Sequence, residues 1–158
     1  MTEQFWAQLK AIVRGAEGFS DTPYDDIKHK SGGYGHALPP DYNDSKLITT
    51  EQANEWLESD LKAAERAVMR LLGTHYDTLS EVRQGTLIEM CFQVGIGSLT
   101  GFKKMLKALR ESNYDTVSHE ILWNDPQCKK MTKLYQQTPK RAERYAAQMK
   151  VGQIERAA

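Results

Sequence analysis

The sequence has no excess of charge of either sign, since 21 lysines and arginines balance 21 aspartates and glutamates. A nucleic-acid-binding domain is usually basic overall or along one face, so this balance argues against a nucleic-acid partner. The sequence also lacks any run of about 18 consecutive apolar residues, the length that a helix needs to cross a membrane. The composition therefore predicts a globular protein without stable membrane insertion.

Cysteine is scarce, because Cys91 and Cys128 are the only two among 158 residues. Small secreted domains that depend on disulfides carry many more, so a disulfide framework is excluded. The histidines show no ligand spacing with cysteines or acidic residues, and we predict neither a metal site nor a cofactor. The first 15 residues have no basic start and no continuous apolar stretch, so no signal peptide is predicted. We expect two free thiols in a protein made in a reducing cytoplasm.

Hydrophobic periodicity predicts a mainly helical α+β protein. Gly, Pro and Asp interrupt residues 19–36, which we predict to form a small antiparallel sheet. Thr49 to Gln52 has the form of a capping box, and Thr138, Pro139 and Gly152 mark the start and end of the last helix. The predicted helices cover about residues 2–16, 50–72, 80–94, 99–111, 115–124, 126–135 and 138–151.

The segment 17–36 combines acidic, hydroxyl and glycine residues in a way that favours acid/base chemistry. Glu17 stands at the end of the first predicted helix, Asp26 lies in the sheet region, and Ser31 precedes a glycine-rich run that ends at His36. Cleavage of a glycosidic bond needs one carboxylic acid to protonate the leaving oxygen and a second carboxylate on the other side of the sugar. Glu17 and Asp26 have the chemistry for these two tasks.

These residues occur in motifs that resemble those of the phage-type lysozymes, the muramidases of glycoside hydrolase family 24, and especially its T-even phage branch. The matching motifs are Glu17-Gly18, Tyr24-Asp25-Asp26 and Ser31-Gly32-Gly33-Tyr34-Gly35-His36. Later segments are similar to the family's substrate cleft: Phe92-Gln93-Val94-Gly95 with Gly101-Phe102, and Gln137-Thr138-Pro139-Lys140-Arg141-Ala142. The resemblance implies a lysozyme-like fold of two lobes. It also implies lysis of bacterial walls by inverting hydrolysis of the β-1,4 bond between N-acetylmuramic acid and N-acetylglucosamine.

The resemblance also implies a role for each matching residue. Glu17 would be the general acid, Asp26 the carboxylate that activates water, and Ser31 the hydroxyl that positions this water. The residues implied to bind substrate are Phe92, Gln93, Gln137 and Thr138. The residues implied to support the site are His36 and Asp60, as a pair between the sheet and the long helix, and Arg141, close to Glu17.

The sequence departs from the family pattern at two points. Ser31 replaces the family's threonine, and the stretch from Asp26 to Ser31 is one residue shorter than usual. Asp25 stands at the usual spacing from Ser31, so Asp25 and Asp26 are both candidates for the second carboxylate. The Tyr-x-Asp motif favours Asp26.

The resemblance also predicts how the chain is organised and where it acts. We expect a single lysozyme domain over residues 1–158. Its lobes would cover about 14–50, with the sheet, and 73–158 with the N-terminal helix, joined by helix 50–72. We expect a monomer that acts on bacterial peptidoglycan. Without a signal peptide, it would leave the host cytoplasm through a lesion made by a separate membrane-permeabilising protein.

Two other functions fit the same residues. In a lytic transglycosylase, Glu17 would act without a water-activating partner, and the sugar's own hydroxyl would close on the anomeric carbon. In a non-catalytic peptidoglycan-binding protein, Ser31 and the shortened turn would have abolished turnover. The products of the reaction separate the first from a hydrolase, because a transglycosylase leaves anhydro-muramyl ends.

Overall fold

The predicted class, mainly helical with a small N-terminal sheet, is confirmed by a computed structural model that describes residues 1–27 and 29–153. Within these residues no helix is long and apolar enough to cross a membrane. The elements are α1 (Glu3–Glu17), β1 (Ser20–Asp25), β2 (Lys30–Gly33), β3 (His36–Leu38), α2 (Thr50–Leu72), a 3₁₀ helix (Gly73–Thr78), α3 (Glu81–Thr100), α4 (Lys103–Arg110), α5 (Tyr114–Leu122), α6 (Lys133–Gln137) and α7 (Pro139–Val151).

The chain divides into two compact units, Met1–Ala63 and Ala64–Ala158. The division falls inside α2, which begins in the first unit and ends in the second. The lobe boundaries expected from the sequence stay a prediction.

In the first unit, side chains cap both helices at their N-termini. The Thr2 hydroxyl accepts a hydrogen bond from the Phe5 amide at 3.2 Å, and the Thr49 hydroxyl accepts one from the Gln52 amide at 3.1 Å. Each bond satisfies an amide that has no partner inside its helix. The cap predicted at Thr49 is therefore confirmed.

The sheet of the first unit is antiparallel, with strand order β1-β2-β3. Tyr24 pairs with Ser31 and Asp25 with Lys30, and Ser31 also pairs with Ala37 on the third strand. A small apolar cluster joins the sheet to the loop that follows it and to α2. The cluster contains Leu38, Ile48 and Ala53, with Tyr34, Tyr42 and Trp56 packed against it.

The second unit buries the apolar faces of its helices. Its fully buried side chains include Leu87, Ile88, Met90, Leu109, Ile121, Tyr145 and Met149. The backbone of α3 leaves helical geometry at Gly95, with φ 83° and ψ 157°, next to the predicted helix end at residue 94. The helix predicted over 99–111 is shorter, since α4 begins at Lys103.

One prediction for the second unit is wrong. Residues 126–132 are not helical, because the Asp125 carboxylate accepts hydrogen bonds from the Lys129 and Lys130 amides and Cys128 has φ 55°. Thr138 and Pro139 do mark the start of α7, as predicted, although the Thr138 side chain makes no cap hydrogen bond. Its hydroxyl donates instead to the Leu134 carbonyl at 3.2 Å. The end predicted at Gly152 is confirmed, with φ 74° and its amide bonded to the Gln148 carbonyl.

Candidate active site

Glu17 lies against the glycine-rich turn between β2 and β3. A Cβ atom built on Gly35 would be 3.1 Å from Glu17 Oε2 and 3.7 Å from Glu17 Cδ. Gly35 also has φ 75°, a conformation that L side chains rarely adopt. A side chain at residue 35 would therefore strain the backbone and push against the carboxyl group of Glu17.

Tyr24 shows that Glu17 and Asp26 lie close to one phenol. Burial raises the pKa of Tyr24 above its ordinary value, and the negative charges of Asp26 and then Glu17 raise it further. A carboxylate raises a neighbour's pKa in this way only from nearby. Both carboxyl groups that the sequence predicted for acid/base chemistry therefore act on the same phenol.

The strand register separates Asp25 from Asp26. Successive residues of a strand point to opposite faces, so Tyr24 and Ser31 share one face while Asp25 and Lys30 share the other. On that second face the Lys30 ammonium forms an ion pair with Asp44 at 2.5 Å. Asp26, one residue beyond Asp25, belongs on the face of Tyr24. This arrangement favours Asp26 as the carboxylate that works with Glu17.

Ser31 is fully buried, with 0% of the residue exposed. Its Oγ lies 3.0 Å from Nδ1 of His29, an exposed residue at the hairpin end. Sequence reasoning assigned no role to His29. Its position two residues before Ser31 was a usable signal, because residues i and i+2 of a strand share a face.

His36 and Asp60 pair as the resemblance implies. His36 Nδ1 lies 2.7 Å from Asp60 Oδ2, and the imidazole stacks on Trp56 with ring centroids 4.6 Å apart. Both partners belong to α2, so the pair and the stacked rings attach the start of β3 to this helix.

In the second unit, two of the predicted substrate-binding residues contact each other. Gln93 Nε2 donates to the Thr138 hydroxyl at 3.0 Å, and Gln93 Oε1 lies 2.7 Å from the Tyr145 hydroxyl. The hydroxyl of Thr138 is therefore engaged with Gln93 rather than with the start of α7. Phe92 is partly buried and Gln137 is exposed.

The second unit contains a buried carboxylate, Glu89, to which the sequence analysis assigned no role. It is 1% exposed, and it accepts hydrogen bonds from Arg141 Nε at 2.8 Å and from both terminal nitrogens of Arg144 at 2.8 and 2.7 Å. Burial alone would raise the pKa of Glu89, but Arg144 and Arg141 outweigh burial and hold it below its usual range. A charged residue inside the apolar run 87–92 was the signal available. The predicted proximity of Arg141 to Glu17 stays a prediction.

The chemistry of the site rests on carboxyl, hydroxyl and imidazole groups. Among residues 1–27 and 29–153, no three His, Cys, Asp or Glu side chains are grouped to hold a metal ion. The first unit thus offers two carboxyl groups that act on one phenol and a buried serine paired with a histidine, which is a set suited to proton transfer.

Comparison of the sequence with known proteins identifies a matching family. The family model described as Phage lysozyme matches residues 14–144. The chain is similar to a protein named "Probable T4-type lysozyme 1" of Dictyostelium discoideum, with 26% identity over 125 residues, covering 76% of this chain and 67% of the relative. A protein named "Probable T4-type lysozyme 2" of the same organism is 26% identical over 133 residues, covering 81% and 72%.

Proposed function

The chain belongs to the phage lysozyme family and is a lysozyme-type glycoside hydrolase that acts on peptidoglycan, and from this premise we propose the bond and the mechanism. The enzyme cleaves the β-1,4 bond between N-acetylmuramic acid and N-acetylglucosamine, with inversion at the anomeric carbon, and so lyses bacterial walls. The observation that carries the proposal is that the negative charges of both Glu17 and Asp26 act on the Tyr24 phenol.

In the proposed reaction, Glu17 gives its proton to the leaving glycosidic oxygen. Asp26 accepts a proton from a water that attacks the anomeric carbon from the opposite face of the ring, and Ser31 fixes the position of this water. Inversion needs room for the water, with roughly 6.5 to 9.5 Å between the two carboxyl groups. The exposed, strand-end position of Asp26 supports this arrangement.

Residues of the second unit would bind the sugar chain. Gln93 and Thr138 already form a hydrogen-bonded pair, whose amide and hydroxyl groups suit the hydroxyl and acetamido groups of the substrate. Phe92 and Gln137 complete the proposed substrate-binding set. Arg141 and the pair of His36 with Asp60 would support the site.

The test of the acid role is the variant Glu17→Gln, because the amide keeps the shape of the side chain but has no proton to give. We expect loss of clearing of outer-membrane-permeabilised cells, with unchanged circular dichroism and melting temperature. Glu3→Gln, at the other end of α1, is the control and should lyse like the wild type. Substantial lysis by folded Glu17→Gln protein would contradict the assignment.

Product analysis tests the reaction type. Mass spectrometry should find hydrated reducing ends, and NMR of fresh product should show inverted anomeric configuration. Anhydro-muramyl ends would instead indicate a lytic transglycosylase. Wall binding by the wild type without any turnover would indicate a peptidoglycan-binding protein.

We also propose that the enzyme acts as a monomer, made in the host cytoplasm and released to the wall by a separate membrane-permeabilising protein. The free thiols of Cys91 and Cys128 support synthesis in a reducing compartment. We expect intact cells to lyse only when a permeabilising protein is co-expressed. Gel filtration, which measures the apparent size of the protein, should show a single monomeric species.

A further inference from the structure

The buried side chain of Ser31 is hydrogen-bonded to the imidazole of His29, which is exposed. Ser31 is 0% exposed, so its hydroxyl does not meet solvent directly, whereas His29, 3.0 Å away at Nδ1, is exposed. We propose that His29 holds the attacking water and that Ser31 acts on this water through His29. The inference rests on the proposed hydrolysis and assigns its water-binding group.

The hairpin places His29 beside Asp26. The Asp26 amide donates to the His29 carbonyl at 2.8 Å, which continues the register of Tyr24 with Ser31. Cross-strand neighbours on one face have their Cβ atoms about 4.5 to 5.5 Å apart. The side chains of His29 and Asp26 therefore start from the same face of the hairpin, and the proposed water lies between the imidazole and the carboxylate.

The surroundings of Nδ1 determine which ring nitrogen carries the proton. Among the described residues, Nδ1 is the one hydrogen-bond partner of the Ser31 hydroxyl, and a buried hydroxyl proton without an acceptor is costly. The Lys30 carbonyl oxygen also lies 3.2 Å from Nδ1, but a proton on Nδ1 would leave the serine proton without an acceptor. Ser31 therefore donates to Nδ1, and the proton of the neutral imidazole is on Nε2.

This tautomer suits a water that must attack. One lone pair of the water oxygen forms the bond to the anomeric carbon, one water proton passes to Asp26, and the second lone pair accepts the hydrogen bond from Nε2–H of His29. The proton of Glu17 leaves with the glycosidic oxygen. His29 exchanges no proton with the substrate, so it orients the water without acting as a base.

The pairing also accounts for the serine at position 31. A threonine side chain is held in few rotamers by its β-branch, whereas a serine side chain turns more freely. The hydrogen bond to His29 supplies the missing restraint.

Three substitutions at residue 29 test the inference in steady-state hydrolysis of soluble peptidoglycan oligomers. His29→Leu removes both nitrogens and should lower kcat roughly 10- to 100-fold with little change in KM, since the lost contact orients a reacting atom. His29→Gln places an amide N–H near the position of Nε2, whereas His29→Asn places an acceptor near that of Nδ1. We expect the glutamine variant to be clearly more active than the asparagine variant, with similar melting temperatures for both.

The reverse order, with the asparagine variant more active, would show that His29 only orients Ser31 and would overturn the inference. Activity of His29→Leu equal to that of the wild type would overturn it as well, while leaving the proposed hydrolysis in place. A wild type without any hydrolysis would overturn the proposed function and this inference with it.

A double-mutant cycle tests whether Ser31 acts through His29. Ser31→Ala should lower kcat in the wild-type background but add little to His29→Leu, because coupled residues are not additive. Additive losses would mean that Ser31 reaches the water on its own. Independent of activity, ¹⁵N NMR of the neutral imidazole should show Nδ1 unprotonated and Nε2 protonated, and the opposite tautomer would overturn the proposed water contact.

Discussion

At the scale of single residues, Asp25 and Asp26 are chemically identical and differ in the face from which they project. Asp26→Asn should reduce hydrolysis by at least about 100-fold, since the loss of a proton acceptor costs on the order of 10² to 10⁴. Asp25→Asn is the matched control, because Asp25 pairs with Lys30 on the opposite face, and it should retain most activity. Initial rates of wall clearing measure both, and a larger loss from Asp25→Asn would assign the catalytic role to Asp25.

The two thiols differ in a second residue-level property, their access to reagents. Burial raises the pKa of the Cys91 thiol, and Cys128 is exposed. Because the thiolate is the reactive form, a disulfide reagent such as Ellman's should modify one thiol quickly in the folded protein and the second only after denaturation. Cys128→Ser should remove the fast phase, and a fast phase that persists would show that Cys91 is accessible.

At the scale of the helices, two glycines give opposite predictions for substitution by alanine. Gly152 ends α7 with φ 74°, and a Cβ there would lie 2.9 Å from Cζ of Arg83, whose Nε donates to the Met149 carbonyl at 2.8 Å. Gly152→Ala should therefore lower the free energy of unfolding by at least about 1 kcal/mol. Urea denaturation measures the change.

Gly15 provides the contrast. It lies within α1, where a Cβ would meet nothing within 4 Å. Gly15→Ala should raise the free energy of unfolding by roughly 0.5 to 1 kcal/mol, since alanine loses less backbone entropy than glycine in a helix. A loss of stability from this change would mean that the N-terminal helix is constrained by something other than its own propensity.

Local patterns predicted the elements well where each residue's own neighbours decide its conformation. The cap at Thr49 and the end at Gly152 depend on bonds within four residues along the chain. The prediction failed at 126–132, where the Asp125 side chain satisfies two amides that a helix would have used. At Thr138 the start of α7 was predicted correctly, but not the hydrogen bond that the Thr138 hydroxyl accepts from Gln93, 45 residues away.

At the scale of the whole molecule, the buried Glu89 makes stability depend on pH. Its folded pKa lies below its ordinary value, and that of an unfolded Glu is about 4.3. Its stabilisation is therefore fully present above about pH 4.3 and is lost as the pH falls through the lower folded pKa. Glu89→Gln should cost about 3 to 5 kcal/mol at neutral pH, as expected when a buried ion pair is broken.

Glu89→Gln should lose less of its free energy of unfolding than the wild type does as the pH falls below about 4.3. Glu111→Gln is the control, because Glu111 is exposed and its ion pair with Lys107 is 3.9 Å long. It should change stability by less than about 1 kcal/mol. Parallel pH profiles for wild type and Glu89→Gln would contradict the role given to this carboxylate.

The sequence predicted those residues of the candidate site that lie together in one segment of 20 residues. The residues from Glu17 to His36 were found this way, including both aspartates of the Tyr24 turn. Glu89 was not found, because its bonds join residues 52 to 56 positions apart and only the folded chain brings them together. His29 was missed because its role depends on strand register and on the burial of Ser31.

The empty space above Gly35 also limits which sequences can carry this enzyme. Any side chain there would meet the carboxyl group of Glu17 and adopt a backbone conformation that it disfavours. In a genetic selection for lysis from libraries randomised at single codons, position 35 should return glycine alone. Ala37, two residues further on and exposed, should accept many replacements. The contact with the Glu17 carboxyl group would thus limit residue 35 to glycine.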